Sequence, residues 1–110
     1  MSKSRSSKMY ISDIVDAIES IESYIQGYTF DEFLGDKKTR DAVVRNLEII
    51  GEAAGHIDKE IQEDMSNIDW RGMIGLRNFV CHQYFRTDWL IVWETCTQDL
   101  KNLIAQLKKD

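Results

Sequence analysis

Apolar residues recur three and four apart along nearly the whole chain, the spacing that gathers them on one side of an α-helix. Ile11, Ile14, Val15, Ile18, Ile21 and Ile25 form the first stripe, with Asp13, Asp16, Glu19 and Glu22 facing outward. They predict a helix from about Met9 to Gln26, stopped by Gly27. Thr29-Phe-Asp-Glu32 has the form of a capping box and opens a short turn to about Leu34, broken by Gly35-Asp36. A second long helix follows from about Lys37 to Asp58, with Asp36 as its cap and Val43, Leu47, Ile50, Ala54 and Ile57 as its stripe. Gly51, Ala53, Ala54 and Gly55 are small enough to let a neighbouring helix come close. Lys59 to Met65 reads as a short helix and Ser66-Asn67 as a loop.

Asp69 can cap a third long helix, Trp70 to about Gln83, whose apolar side is Met73, Ile74, Leu76, Val80 and Cys81. Arg86-Thr87-Asp88 is the next break, and Thr87 or Asp88 can cap the last helix, Trp89 to about Leu107. Its stripe is Val92, Trp93, Cys96, Leu100, Leu103 and Leu107, and Lys108-Lys109 suit the negative end of a helix dipole. The predicted fold is all-α: an up-and-down four-helix bundle with extra short helices.

Composition narrows the picture. A chain of 110 residues makes one domain, and 43% hydrophobic with 30% charged residues is the balance of a globular one. Proline is absent, which agrees with helices joined by short connections. Residues 1–8 read as a disordered basic tail and 9–110 as a single helical domain. No apolar run approaches the ~18 residues of a membrane span, and the start lacks a signal peptide's apolar core. Two cysteines, Cys81 and Cys96, suit a reducing compartment, so a cytoplasmic location is expected. Lys3, Arg5 and Lys8 hold three of the 14 basic residues, leaving 11 against 19 acidic ones in the body, a net of −8. Such a body is no general polyanion binder, and DNA is not an expected partner; RNA must be held by a local cluster.

One stretch carries candidate chemistry: Arg77-Asn-Phe-Val-Cys-His82-Gln-Tyr84. On a helix, Asn78 and His82 share a face, whereas Arg77 and His82 stand about 140° apart around the axis and about 7.5 Å apart along it. They converge on one ligand only if the long Arg side chain bends round or a second copy of the helix completes the site. Histidine titrates near neutrality, so His82 can take a proton from a ribose 2′-hydroxyl or give one to a leaving oxygen. Arg77 can hold a phosphate bidentately and stabilise charge developing on its oxygens. Asn78 can orient the imidazole, and Tyr84 offers a phenol that can contact phosphate or be modified. Spacing alone is weak, since many helices carry an Arg and a His by chance.

The surroundings add to it. Asp41-Ala-Val-Val-Arg-Asn-Leu-Glu-Ile-Ile-Gly-Glu-Ala-Ala54, Ile68-Asp-Trp-Arg71, Gly75-Leu-Arg-Asn78 and His82-Gln-Tyr-Phe85 closely resemble the HepT-like toxins of the HEPN superfamily, as do Val92-Trp93 and Asp99-Leu100. The likeness covers roughly residues 9–105. Its signature of Arg, four residues, His, one residue and Tyr falls on Arg77, His82 and Tyr84, with Asn78 as the polar residue after the Arg. The resemblance implies a HEPN-like homodimer in which the Arg–His motifs meet at the interface. It implies a metal-independent endoribonuclease toxin of a toxin–antitoxin module, cutting mRNA or tRNA. It also implies a nucleotidyltransferase antitoxin as partner, able to silence the toxin by transferring AMP to Tyr84.

Two other readings stand beside this one. The Arg–His cleft could bind a nucleotide or RNA phosphate without catalysis, making the chain a partner subunit of a nucleotidyltransferase; or the chain could be a purely structural dimer. Toxicity of the protein expressed alone separates the first from the catalytic reading. Among the remaining polar residues, Arg45, Asn46, Glu48, Glu52 and Arg71 are expected to be mainly structural or surface groups. Cys81, His82, His56 and Cys96 lack metal-ligand spacing, and neither a metal nor a cofactor is expected. Trp70, Trp89 and Trp93 read as core or interface anchors rather than base-stacking platforms.

Overall fold

The computed structural model describes residues 6–82 and 88–109, with the side chains of 78–82 outside the description. Helix α1 spans Ser7–Ile25, α2 Phe30–Gly35, α3 Lys37–Gly55, α4 Lys59–Asp64, α5 Trp70–His82, α6 Trp89–Glu94 and α7 Leu100–Lys109, with a π-helical turn, Thr95–Asp99, joining the last two. This is the expected all-α bundle. The long helices α1, α3, α5 and the run α6–α7 form it, and α2 and α4 sit in the connections.

Helix α3 lies between α1 and α5 and packs along both. Helix α1 runs antiparallel to it: Tyr10 near the start of α1 stacks on His56 at the end of α3, ring centroids 4.9 Å apart. At the same end, the Ser7 hydroxyl accepts a hydrogen bond from the Asp58 amide at 2.9 Å. The α7 end returns beside α1, where Lys108 pairs with Glu19 at 2.9 Å. The predicted stripes meet in one core: Ile14, Ile18 and Ile21 from α1, Val43, Leu47 and Ile50 from α3, and Val92, Leu100, Leu103 and Leu107 from the last run are all buried. No helix among the described residues is long and apolar enough to cross a membrane.

Local signals act where they were expected. Thr29 and Glu32 close the capping box of α2, the Glu32 amide donating to Thr29 Oγ1 at 3.1 Å and the Thr29 amide to Glu32 Oε1 at 2.8 Å. Gly27 ends α1 with φ 78°, a backbone setting that costs glycine nothing. Asp88 caps α6 through Leu90 and Ile91; Thr87, the other candidate, lies outside the described residues.

Four expectations need correction. First, α1 starts at Ser7 rather than Met9, because the Ser6 side chain accepts from the Met9 amide and caps it. Of the 1–8 tail, residues 6–8 thus belong to the helix and its cap, and residues 1–5 lie outside the described residues. Second, α3 ends at Gly55 rather than Asp58, because the His56 and Ile57 amides bond back to Ala53 and Ala54 in a tight three-residue turn; Ile57 stays buried past it. Third, the last helix is not uninterrupted. Two steps of four residues, Val92 to Cys96 to Leu100, drift about 80° around an ideal α-helix. The wider π turn takes up part of that drift, and all three stay buried. Fourth, Ile74 is 38% exposed rather than part of the core, since α5 faces α3 through Trp70 and Met73.

Asp36 links α2 to α3. Its carboxylate accepts from the Tyr28 hydroxyl at 2.7 Å, the Thr39 hydroxyl at 2.7 Å and the Thr39 amide at 3.1 Å. The Tyr28 bond, followed by those from Thr39, holds its carboxyl at about 2. The folded value lies below the unfolded one, so this stabilisation is present above about pH 4 and is lost as pH falls toward about 2. Urea midpoints measured from pH 5 downward should therefore drop more steeply in the parent protein than in Asp36→Asn. Equal slopes would show that the Asp36 bonds do not favour its charged form.

Candidate active site

Helix α5 is anchored at its start. The Asp69 carboxylate accepts from the Gly72 amide at 3.0 Å. The Trp70 indole donates to the carbonyls of Gln62 and Met65, both at 3.1 Å. Gln62 in turn donates to the Ile57 carbonyl at 3.1 Å, so the first turn of α5 is tied to the end of α3. Further along, Gly51 of α3 meets the α5 backbone itself. A Cβ at Gly51 would stand 2.6 Å from the Arg77 nitrogen, 2.9 Å from the Arg77 Cβ and 3.0 Å from the Met73 carbonyl oxygen. These two contacts set α5 antiparallel to α3 and place Arg77 directly over Gly51.

Arg77 is exposed at this crossing. Positions 78 and 82 follow on the same unbroken helix, which is described as far as His82. The Asn78 and His82 side chains, and Tyr84 altogether, lie outside the described residues.

Two surface grooves flank α3. One, of about 450 Å³, is lined by Tyr10, Asp13, Arg45, Glu48, Glu52 and His56. The other, of about 500 Å³, is lined by Lys37, Arg40, Asp41, Arg45, Glu48 and Trp89. In the second, the Arg40 guanidinium lies 5.0 Å over the Trp89 ring. Sequence reading passed over Arg40. The available signal was Lys37, Lys38 and Arg40 in the opening turns of α3, where the helix dipole already disfavours positive charge.

Other weighed residues are local. Asn46 donates back to the Ala42 carbonyl at 2.9 Å, a bond within its own helix. Arg71 is exposed in the first turn of α5, near its anchored end rather than near Arg77. Cys96 is buried, and burial pushes its thiol up to about 12, the behaviour of a small core residue. Among the described residues no three His, Cys, Asp or Glu side chains group as metal ligands would.

The all-α bundle is consistent with the HEPN-like fold that the sequence resemblance implied. The chain matches the family described as "Ribonuclease HepT-like" over residues 14–109 and belongs to it. It is 41% identical over 105 residues to a protein of Thermococcus cleftensis named "Probable ribonuclease HepT", covering 96% of each chain. It is 35% identical over 110 residues to a Methanocaldococcus jannaschii protein named "Putative RNase MJ1380", covering 100% of this chain and 96% of that one. No solved structure gives a significant match.

Proposed function

We propose that the protein is a metal-independent endoribonuclease working through Arg77 and His82. The carrying observation is membership of a ribonuclease family in a chain whose α5 holds both positions, with Arg77 exposed. His82 takes the proton of a ribose 2′-hydroxyl, the 2′-oxygen bonds to the adjacent phosphorus, and the bond from phosphorus to the 5′-oxygen breaks. The leaving oxygen receives a proton, and the products are a 2′,3′-cyclic phosphate and a 5′-hydroxyl end. Arg77 binds the phosphate and stabilises its developing charge. Asn78 orients His82.

The active unit is a homodimer. On the helix, position 74 falls between the directions of positions 77 and 82. Ile74 is 38% exposed there, an apolar side chain suited to burial against a second copy. The same reading makes the chain the toxin of a toxin–antitoxin module, held in check by a nucleotidyltransferase antitoxin. AMP on Tyr84, seven residues after Arg77 in the motif, would add bulk and a negative phosphate that competes for Arg77.

The test is total RNA in EDTA, incubated with the purified protein or with His82→Ala. Cuts bearing cyclic phosphates are expected from the parent and none from the variant. Activity that survives His82→Ala ends this mechanism. No cutting by either protein, at an intact mass one adenylyl group above the sequence mass, assigns the silence to modification. No cutting at the unmodified mass favours the non-catalytic phosphate-binding reading.

A further inference from the structure

We infer that Arg40, clamped on Trp89 and assisted by Lys37, is a second phosphate-binding subsite for the RNA strand, separate from Arg77 and His82. The inference rests on the ribonuclease reading above. Three observations carry it.

The first is the state of Arg40. Its guanidinium face is taken by the Trp89 ring at 5.0 Å, and Phe33 packs edge-on to the same indole at 5.9 Å between ring centroids. Stacking fixes the plane of the guanidinium, whose terminal N–H groups are donors of the kind that grip a phosphate. Among the described residues no carboxylate lies within ion-pair distance of Arg40, and its buried Nε has no hydrogen-bond partner.

The second is charge. Lys37, Lys38 and Arg40 stand at the positive end of the 19-residue α3, where the one capping carboxylate, Asp36, is engaged by Tyr28 and Thr39. In the groove, Asp41 is occupied by Lys37 at 2.8 Å, and Glu48 makes contacts of its own. In a body with a net charge near −8, this is the kind of local cluster that binding RNA requires.

The third is position. Helix α5 runs antiparallel to α3 and crosses it at Gly51 and Arg77. At ~1.5 Å per residue, position 82 lies about 7.5 Å further on, level with the middle of α3 and heading toward its start. The groove from Lys37 to Glu48 begins there. Trp89 opens α6, seven residues after His82 in the chain. A strand bound at the motif would thus extend over Arg40, which engages a flanking phosphate rather than the one being cut.

The test uses His82→Ala protein, which leaves RNA uncut, and a fluorescently labelled single-stranded oligoribonucleotide read by anisotropy across a salt series. Adding Arg40→Gln should weaken binding about tenfold and reduce the slope of log Kd against log salt by about one. Arg40→Lys should restore the slope and part of the affinity. A merely structural Arg40 would lower the melting temperature and leave the slope alone, which overturns the subsite. Lys37 is 78% exposed, so Lys37→Gln should fold normally and lose affinity in the same sense but less. Unaltered affinity and slope in Lys37→Gln overturn the subsite even if Arg40→Gln cannot be purified. If folded His82→Ala protein binds no RNA at all, the ribonuclease reading falls as well. Tight parent binding with unmoved variants removes the subsite alone.

Discussion

Gly51→Ala lowers the melting temperature by about 5–10 °C and cuts RNA cleavage at least tenfold. The added Cβ would stand 2.6 Å from the Arg77 nitrogen and 3.0 Å from the Met73 carbonyl oxygen. Both are main-chain atoms, so no side-chain rotation relieves the clash and α5 must move off α3. Overpacking of this kind costs about 1–3 kcal/mol, of which the better helix propensity of alanine returns about 0.5–1 kcal/mol. In a domain of this size each kcal/mol shifts the melting temperature by about 4–8 °C. The displacement falls on Arg77, the proposed phosphate anchor, and a shift of about 1 Å in a catalytic group can cost a hundredfold in rate. Gly55→Ala is the control, since nothing lies within 4 Å of its added carbon. It should melt at or slightly above the parent temperature. A Gly51→Ala protein that melts and cuts like the parent would show that α5 does not pass so close.

Phe33→Ala destabilises the fold by about 3–5 kcal/mol, the range for emptying a buried aromatic site. Phe33 is fully buried, with its ring centroid 5.2 Å from that of Trp93 and 5.9 Å from that of Trp89. Helix α2 is only six residues long, so side-chain packing rather than its own hydrogen bonds holds it in place. Removing the ring opens a cavity beneath both tryptophans and loosens the Trp89 face on which Arg40 lies. Urea unfolding should show the loss as a lower midpoint at a similar slope. Leu34→Ala, one residue on but 39% exposed, should change stability by no more than about 0.5 kcal/mol. A Phe33→Ala midpoint close to that of Leu34→Ala would mean that α2 is not packed as described.

The helices were legible because their signals are short-range. Caps such as Thr29, Asp36, Asp69 and Asp88 act on amides two or three residues away. Stripes such as Ile14-Ile18-Ile21 repeat within one or two turns and need no partner to be recognised. The Arg77–His82 spacing was readable for the same reason, since the two residues are five apart on one helix. Departures arose where a neighbour decided. Ile74 is apolar and correctly spaced, yet the described elements leave it 38% exposed. The π turn at Thr95–Asp99 answers to the core that Val92, Cys96 and Leu100 must all reach, not to any residue's own preference.

By itself, then, the sequence determined the order and approximate extent of the helices, most of their caps and apolar faces, the family and the residues on which its chemistry is proposed to rest. Tertiary structure alone decided that Gly51 lies under Arg77 and that Arg40 lies on Trp89, pairs 26 and 49 residues apart in the chain. The physical reason is that periodicity tells which face of a helix avoids water but not which helix will cover it. That choice is made only when all the faces are packed against one another at once.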